Sequence, residues 1–161
     1  MSTLSAQTPS AEPAPLSSSL SDALASPFSL KTRQAVAEIA GTETEVVVTE
    51  FADKIFILVT QFGKMGNLLL ATLDNPPTSL TEKDAPPPSV STRTLLGERD
   101  DPLAQVYASH ILSRMAAETG EARPLLLGLA LRREDDGVLT RNMEVFDGVL
   151  ALLKEANVLA A

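Results

Sequence analysis

His110 is the single imidazole of the chain, the side chain whose ordinary pKa best suits acid–base chemistry near neutral pH. A serine hydrolase would pair it with a serine on a strand-to-helix elbow. No G-x-S-x-G string occurs, however, and most serines fall before Leu30 or in a proline-rich stretch. His110 also lies between Tyr107 and Ile111 on an apolar helical stripe, which predicts a packed helix histidine rather than a catalytic one. With no cysteine there is no thiolate nucleophile, no disulfide and no cysteine-bound zinc, and one histidine excludes every multi-histidine metal site. Glu134, Asp135 and Asp136 precede Gly137 without the alternating oxygen-ligand spacing of a calcium loop, and read as a solvated turn. Gly63, Lys64, Met65 and Gly66 carry the glycines and lysine of a phosphate loop, but G-x-x-x-x-G-K-[ST] is not satisfied. The segment leads into a strand rather than a helix, and a hairpin turn is expected. What a plain turn leaves unexplained is Met65, an apolar side chain at a reversal where exposure is expected, so Met65 is marked as a residue that touches something. No catalytic, cofactor-binding or metal-binding residue is expected, and the chain is not expected to be an enzyme.

The elements that hold these residues are bounded by composition. The chain has 161 residues, of which 44% are hydrophobic and 21% charged, enough to bury one core of respectable size. The net charge of −8 and the lack of a basic patch disfavour nucleic acid as a partner. No apolar run approaches the roughly 20 residues of a membrane-spanning helix, and the start of the chain lacks a secretory pattern. A soluble, unsecreted protein with no membrane partner is expected.

Residues 1–27 are Ser, Ala, Pro and Thr with scattered Leu, a composition expected to form a disordered tail. A single α+β domain is expected over residues 28–161. Its first half holds four β-rich segments, Thr32 to Ile39, Glu45 to Phe51, Lys54 to Phe62 and Asn67 to Leu73. Their short connections predict antiparallel neighbours. Asp74 to Ser89 contains five prolines and is expected to be a long flexible loop, after which Val90 to Leu96 resumes the sheet. Asp101 and Pro102 predict a helix start, with Leu103, Val106, Tyr107, His110, Ile111 and Met115 on the inner stripe and Gly120 as the stop. Pro124 to Leu131 is too short for a helix and reads as a central strand. A last helix from Thr140 to Asn157 carries Met143, Phe146, Val149, Leu150 and Leu153, with Gly148 as its weak point. The order is β-β-β-β-β-α-β-α, and the fold class is a six-stranded, mainly antiparallel sheet with two helices on one face.

Six strands about 4.8 Å apart make a sheet about 29 Å wide, and two helices about 10 Å thick cover only one face of it. Yet Ile55, Ile57 and Val59 oppose Phe56 and Leu58 on one strand, so both faces are apolar. The helix-free face is therefore expected to be used for dimerisation, with Ile55, Phe56, Ile57, Leu58 and Val59 as candidates and the outward parity left open.

The string Val59, Thr60, Gln61, Phe62, Gly63, Lys64, Met65, Gly66 resembles the signature hairpin of the proteasome assembly chaperone 3 family. Thr94 to Gly97 followed by Asp101, Pro102 and Leu103 is similar to that family's strand-to-helix junction, and the resemblance runs from about Leu30 to Val158. The tail and Pro86, Pro87 and Pro88 look like elaborations of a fungal-type member. The resemblance implies a non-enzymatic chaperone without cofactors, cytoplasmic and nuclear. It implies pairing with the paralogue proteasome assembly chaperone 4 and help in ordering 20S α subunits, notably α5, into a ring. The loop residues Asp74, Glu82 and Asp84 are candidate client contacts, since exposed acids steer toward basic surfaces. The sheet argument alone would also allow a dimeric scaffolding or trafficking adaptor.

Overall fold

The computed structural model describes residues 30–74, 89–132 and 139–159. The tail, most of the proline-rich loop with Glu82 and Asp84, and the acidic turn with Glu134, Asp135, Asp136 and Gly137 lie outside the described residues. Six strands and two helices follow in the expected order: β1 (Lys31–Ile39), β2 (Thr42–Glu50), β3 (Ile55–Thr60), β4 (Asn67–Leu73), β5 (Val90–Leu96), α1 (Pro102–Thr119), β6 (Leu125–Ala130) and α2 (Leu139–Glu155).

One sheet contains all six strands in the order β1-β2-β3-β6-β4-β5, antiparallel throughout except for the parallel pair β3 and β6. The β1–β2 hairpin turns on Ala40 and Gly41, both at positive φ, as a two-residue hairpin that follows the strand twist requires. The β2–β3 reversal is closed by the Phe51 amide donating to the Lys54 carbonyl at 2.9 Å.

The expected β3–β4 hairpin is not formed. β6 lies between the two strands, so Gly63 to Gly66 crosses two strand spacings instead of one, about 10 Å. β3 and β4 still run in opposite directions, as a short connection predicts, but they do not pair, because a hairpin assumes that sequence neighbours are also sheet neighbours. A later strand, apolar on both faces, has taken the place between them. Gly66, at φ 62, is what lets the loop pass, since a Cβ there would lie 2.1 Å from the Leu129 carbonyl oxygen.

Both helices pack on one face, α1 across β4, β5 and β6 and α2 across β1 and β2. The Asp101 carboxylate accepts from the Leu103 amide at 3.1 Å, Pro102 opens α1, and Gly120 closes it at φ 69 with its amide on the Ala116 carbonyl. The buried stripe of α1 is Ala104, Tyr107, Ala108, Ile111, Leu112, Met115 and Ala116. It is rotated from the expected one because the alanines let the helix approach the sheet closely. Val106 and His110 turn to solvent as a result, with Val106 56% exposed. On α2, Val149, Leu150 and Leu153 are buried as expected, whereas Met143 is exposed.

At the far end of the sheet from the β3–β4 loop, Arg123 links the α1–β6 connection to the β2–β3 turn. It donates to the Phe51 carbonyl at 2.7 Å and to Glu121 at 2.6 Å. The Arg123 guanidinium holds the Glu121 carboxyl below its ordinary range.

Gly148 is the point where α2 touches β1. A Cβ there would lie 2.6 Å from Ile39 Cγ2, so the residue is kept for contact against its poor helix propensity. Gly148→Ala is therefore expected to lower stability by about 1–2 kcal/mol, although propensity alone predicts a gain of about 1 kcal/mol. In an Ile39→Ala background the same change should stabilise. Thermal denaturation of the four chains measures both signs.

Candidate functional site

Alternation along the strands decides which side chains are available for binding. Ile55, Ile57 and Val59 on β3 and Leu125, Leu127 and Leu129 on β6 are buried under the helices. They are core, and of the five β3 candidates only Phe56 and Leu58 point to the helix-free face. The register places Phe56 between Thr49 and Leu126, and Leu58 between Val47 and Gly128, with Leu70 and Leu68 continuing the two rows on β4. Val47, Phe56, Leu58, Leu68, Leu70 and Leu126 are all half-buried, and among the described residues no helix packs above them. This is a contiguous apolar patch across the four central strands, of the kind that marks a contact surface.

Polar groups rim the patch. Glu45 on β2 accepts from Gln34 Nε2 at 2.7 Å, and Arg93 on β5 stands exposed beside Leu70 in the register. The hydrophobic centre with a polar border is the anatomy of a protein interface.

The β3–β4 loop is built onto this face. Gly128 leaves a depression that Leu58 and Met65 fill: a Cβ on Gly128 would lie 2.9 Å from Leu58 Cδ1 and 3.2 Å from Met65 Cγ. Met65 therefore extends the apolar face, which sequence alone registered only as an apolar residue out of place. The loop is held firmly. Thr60 Oγ1 accepts from the amides of Phe62 and Lys64, each at 3.1 Å. Gln61 donates through Nε2 to Thr44 Oγ1 at 3.0 Å and accepts through Oε1 from the Arg132 amide at 2.8 Å. Gln61 is thus structural, whereas Phe62, Gly63, Lys64, Met65 and Gly66 form the exposed tip. Sequence reasoning gave no role to Thr60 and Asn67. Asn67 accepts from the Glu98 amide and donates to Asp101 at 2.5 Å, locking the loop to the start of α1.

His110 is exposed and packs edge-on against Phe146 at 5.0 Å, next to the Tyr107–Phe146 contact at 4.8 Å. Burial pushes the Tyr107 hydroxyl well above its ordinary range, so it stays neutral. No group of three His, Asp or Glu side chains able to hold a metal occurs among the described residues. Asp74, at the base of the proline-rich loop, accepts from Ser91 Oγ at 2.7 Å.

Residues 57–155 match the profile of the family described as proteasome assembly chaperone 3. The chain is 39% identical over 103 residues to proteasome assembly chaperone 3 of Bos taurus, covering 64% of this chain and 79% of the bovine one. It is 37% identical over 100 residues to the Homo sapiens protein of that name, covering 62% and 76%. A chain from the crystal structure of a chaperone complex for yeast 20S proteasome assembly has the same fold. Its TM-score is 0.53 at 14% identity, over 76% of this chain and 98% of that one.

The two sides of β3 are expected to differ sharply in tolerance. Ile57→Asp places an unpaired charge in the core and should cost more than about 4 kcal/mol, whereas Phe56→Asp on the open face should cost under about 2 kcal/mol. Urea denaturation of both variants tests the assignment, and equal losses would refute it.

Proposed function

We propose that this chain, which belongs to the proteasome assembly chaperone 3 family, is a non-enzymatic chaperone in the assembly of the 20S proteasome α-ring. It works as one half of a heterodimer with the paralogue proteasome assembly chaperone 4, and the pair receives an α subunit, α5. The observation that carries this reading is the helix-free apolar face centred on Phe56, Leu58 and Leu126 and extended by Met65. In a lone chain that face leaves apolar surface in water. Packed on a similar sheet about 10 Å away, it becomes the middle of a two-sheet sandwich with helices outside. A face about 29 Å wide is of the order needed for a standard interface of about 800 Å² per partner.

A binding role also suits the chemistry. The one histidine is a surface ring on Phe146, and Thr60 and Gln61 beside the β3–β4 loop hold its backbone in place. What such a surface offers is shape and apolar area, which is how a chaperone holds a partner without transforming it.

Co-expression with the paralogue tests the pairing. Phe56→Asp should weaken association by roughly 100-fold, the effect of an interface hot spot, while the chain stays folded by circular dichroism. Unchanged pairing would remove the open face from this role. Purification of the pair followed by mass spectrometry is expected to recover 20S α subunits, whereas recovery of membrane-traffic components would point to an adaptor.

A further inference from the structure

The β3–β4 loop has two sides, and only one of them belongs to the open face. Met65 lies over Gly128 on the sheet, whereas Phe62, Lys64 and Gly66 turn toward a cavity at the end of the sheet. Its opposite wall is formed by the segment entering α1, and its floor by Leu103, Leu129 and Leu131. The cavity holds about 360 Å³, enough for one large apolar side chain with its adjoining backbone.

Its walls are fixed in place. Thr60 and Gln61 hold the loop, Asn67 ties the loop's end to Glu98 and Asp101, and Gly66 is wedged against the Leu129 carbonyl. Left-handed backbone occurs in both segments that border it, at Gly63 and Gly66 in the loop and at Gly97 and Asp100 before α1, the last a non-glycine residue at φ 72. At the mouth Phe62 is 51% exposed. Glu98 and Asp101 have partners within the chain, whereas Lys64 makes no ion pair among the described residues. The site thus offers an apolar socket, an exposed aromatic ring and one unmet positive charge, all pre-organised.

We propose that this cavity is the client site of the chaperone: it takes a segment of the α subunit in which an apolar side chain is followed or preceded by a carboxylate. The apolar side chain enters over Leu103 and Leu129, Phe62 covers it, and the carboxylate meets Lys64. This rests on the reading that the open face pairs with the paralogue. A pair built through that face leaves the cavity uncovered on the other side of the loop, so both partners bind at once.

The test uses the full chain paired with its paralogue and titrated with isolated α5. Lys64→Glu is expected to weaken α5 binding by roughly tenfold or more and Phe62→Ser by a similar factor, with Lys64→Arg close to the native affinity. Native binding should fall with added salt, and the Lys64→Glu variant should lose that dependence. None of the three should alter pairing with the paralogue. Native α5 affinity in both Lys64→Glu and Phe62→Ser would overturn the proposal. So would loss of pairing in either variant, or loss of α5 binding on replacing Asp74, Glu82 and Asp84 with serine while the Lys64 variants bind normally. A native pair that forms but binds no α5 would overturn the reading of the client itself, and this site with it.

Discussion

The hydrogen bonding of β6 to β3 on one side and β4 on the other is what makes a single sheet of this chain. β1, β2 and β3 are one locally connected unit and β4 with β5 another, and no hydrogen-bonded ladder joins them except through Leu125–Ala130. A strand in that position must be apolar on both faces, with helices above and the open face below, which is why six residues in a row lack a charge. It also sets the loop. Because β6 stands between β3 and β4, the connection Gln61–Gly66 must arch over its end, and the arch puts Met65 on one side and Phe62 with Lys64 on the other.

The unequal treatment of the two sheet faces follows from the same frame. α1 and α2 together suffice for one face, where Ile57, Val59, Leu125 and Leu127 are removed from water almost completely. On the other face Phe56, Leu58 and Leu126 remain half-covered by their strand neighbours. Burying a side chain of this size from full exposure contributes about 1.5–3 kcal/mol, and folding realises only part of that for these half-covered residues.

Much of this was legible in the residues. Alternation, caps and turn residues gave all eight elements, and the Asp101–Pro102 start and Gly120 stop of α1 agree with the capping geometry. Sheet order was not legible, because local pattern tells which segments are strands but not which later strand inserts between two earlier ones. For the same reason the β3–β4 connection read as a hairpin. The stripe of α1 was misplaced because an alanine-lined face buries as effectively as a leucine-lined one while scoring weakly as apolar, leaving Val106 outside. At the candidate surface, sequence pointed to β3 but not to its outward parity, which only the helix positions decide. Met65 was conspicuous as an apolar residue in a turn, whereas the Thr60 and Asn67 anchors carry no signal beyond being polar.

The parallel pairing of β3 with β6 bears on how the chain is made. Thr60 leaves the ribosome about 65 residues ahead of Leu125, a delay of roughly 3–13 s at ordinary elongation rates. Through that interval the backbone edge of β3 that pairs with β6 has no ladder partner, and the later arrival of β4 and β5 does not supply one. A nascent chain stopped anywhere before Leu125 therefore displays a naked, apolar strand edge, the form most prone to pairing with a neighbouring chain. A protein whose family tends the assembly of others is, during its own synthesis, itself exposed to mispairing until its penultimate element emerges.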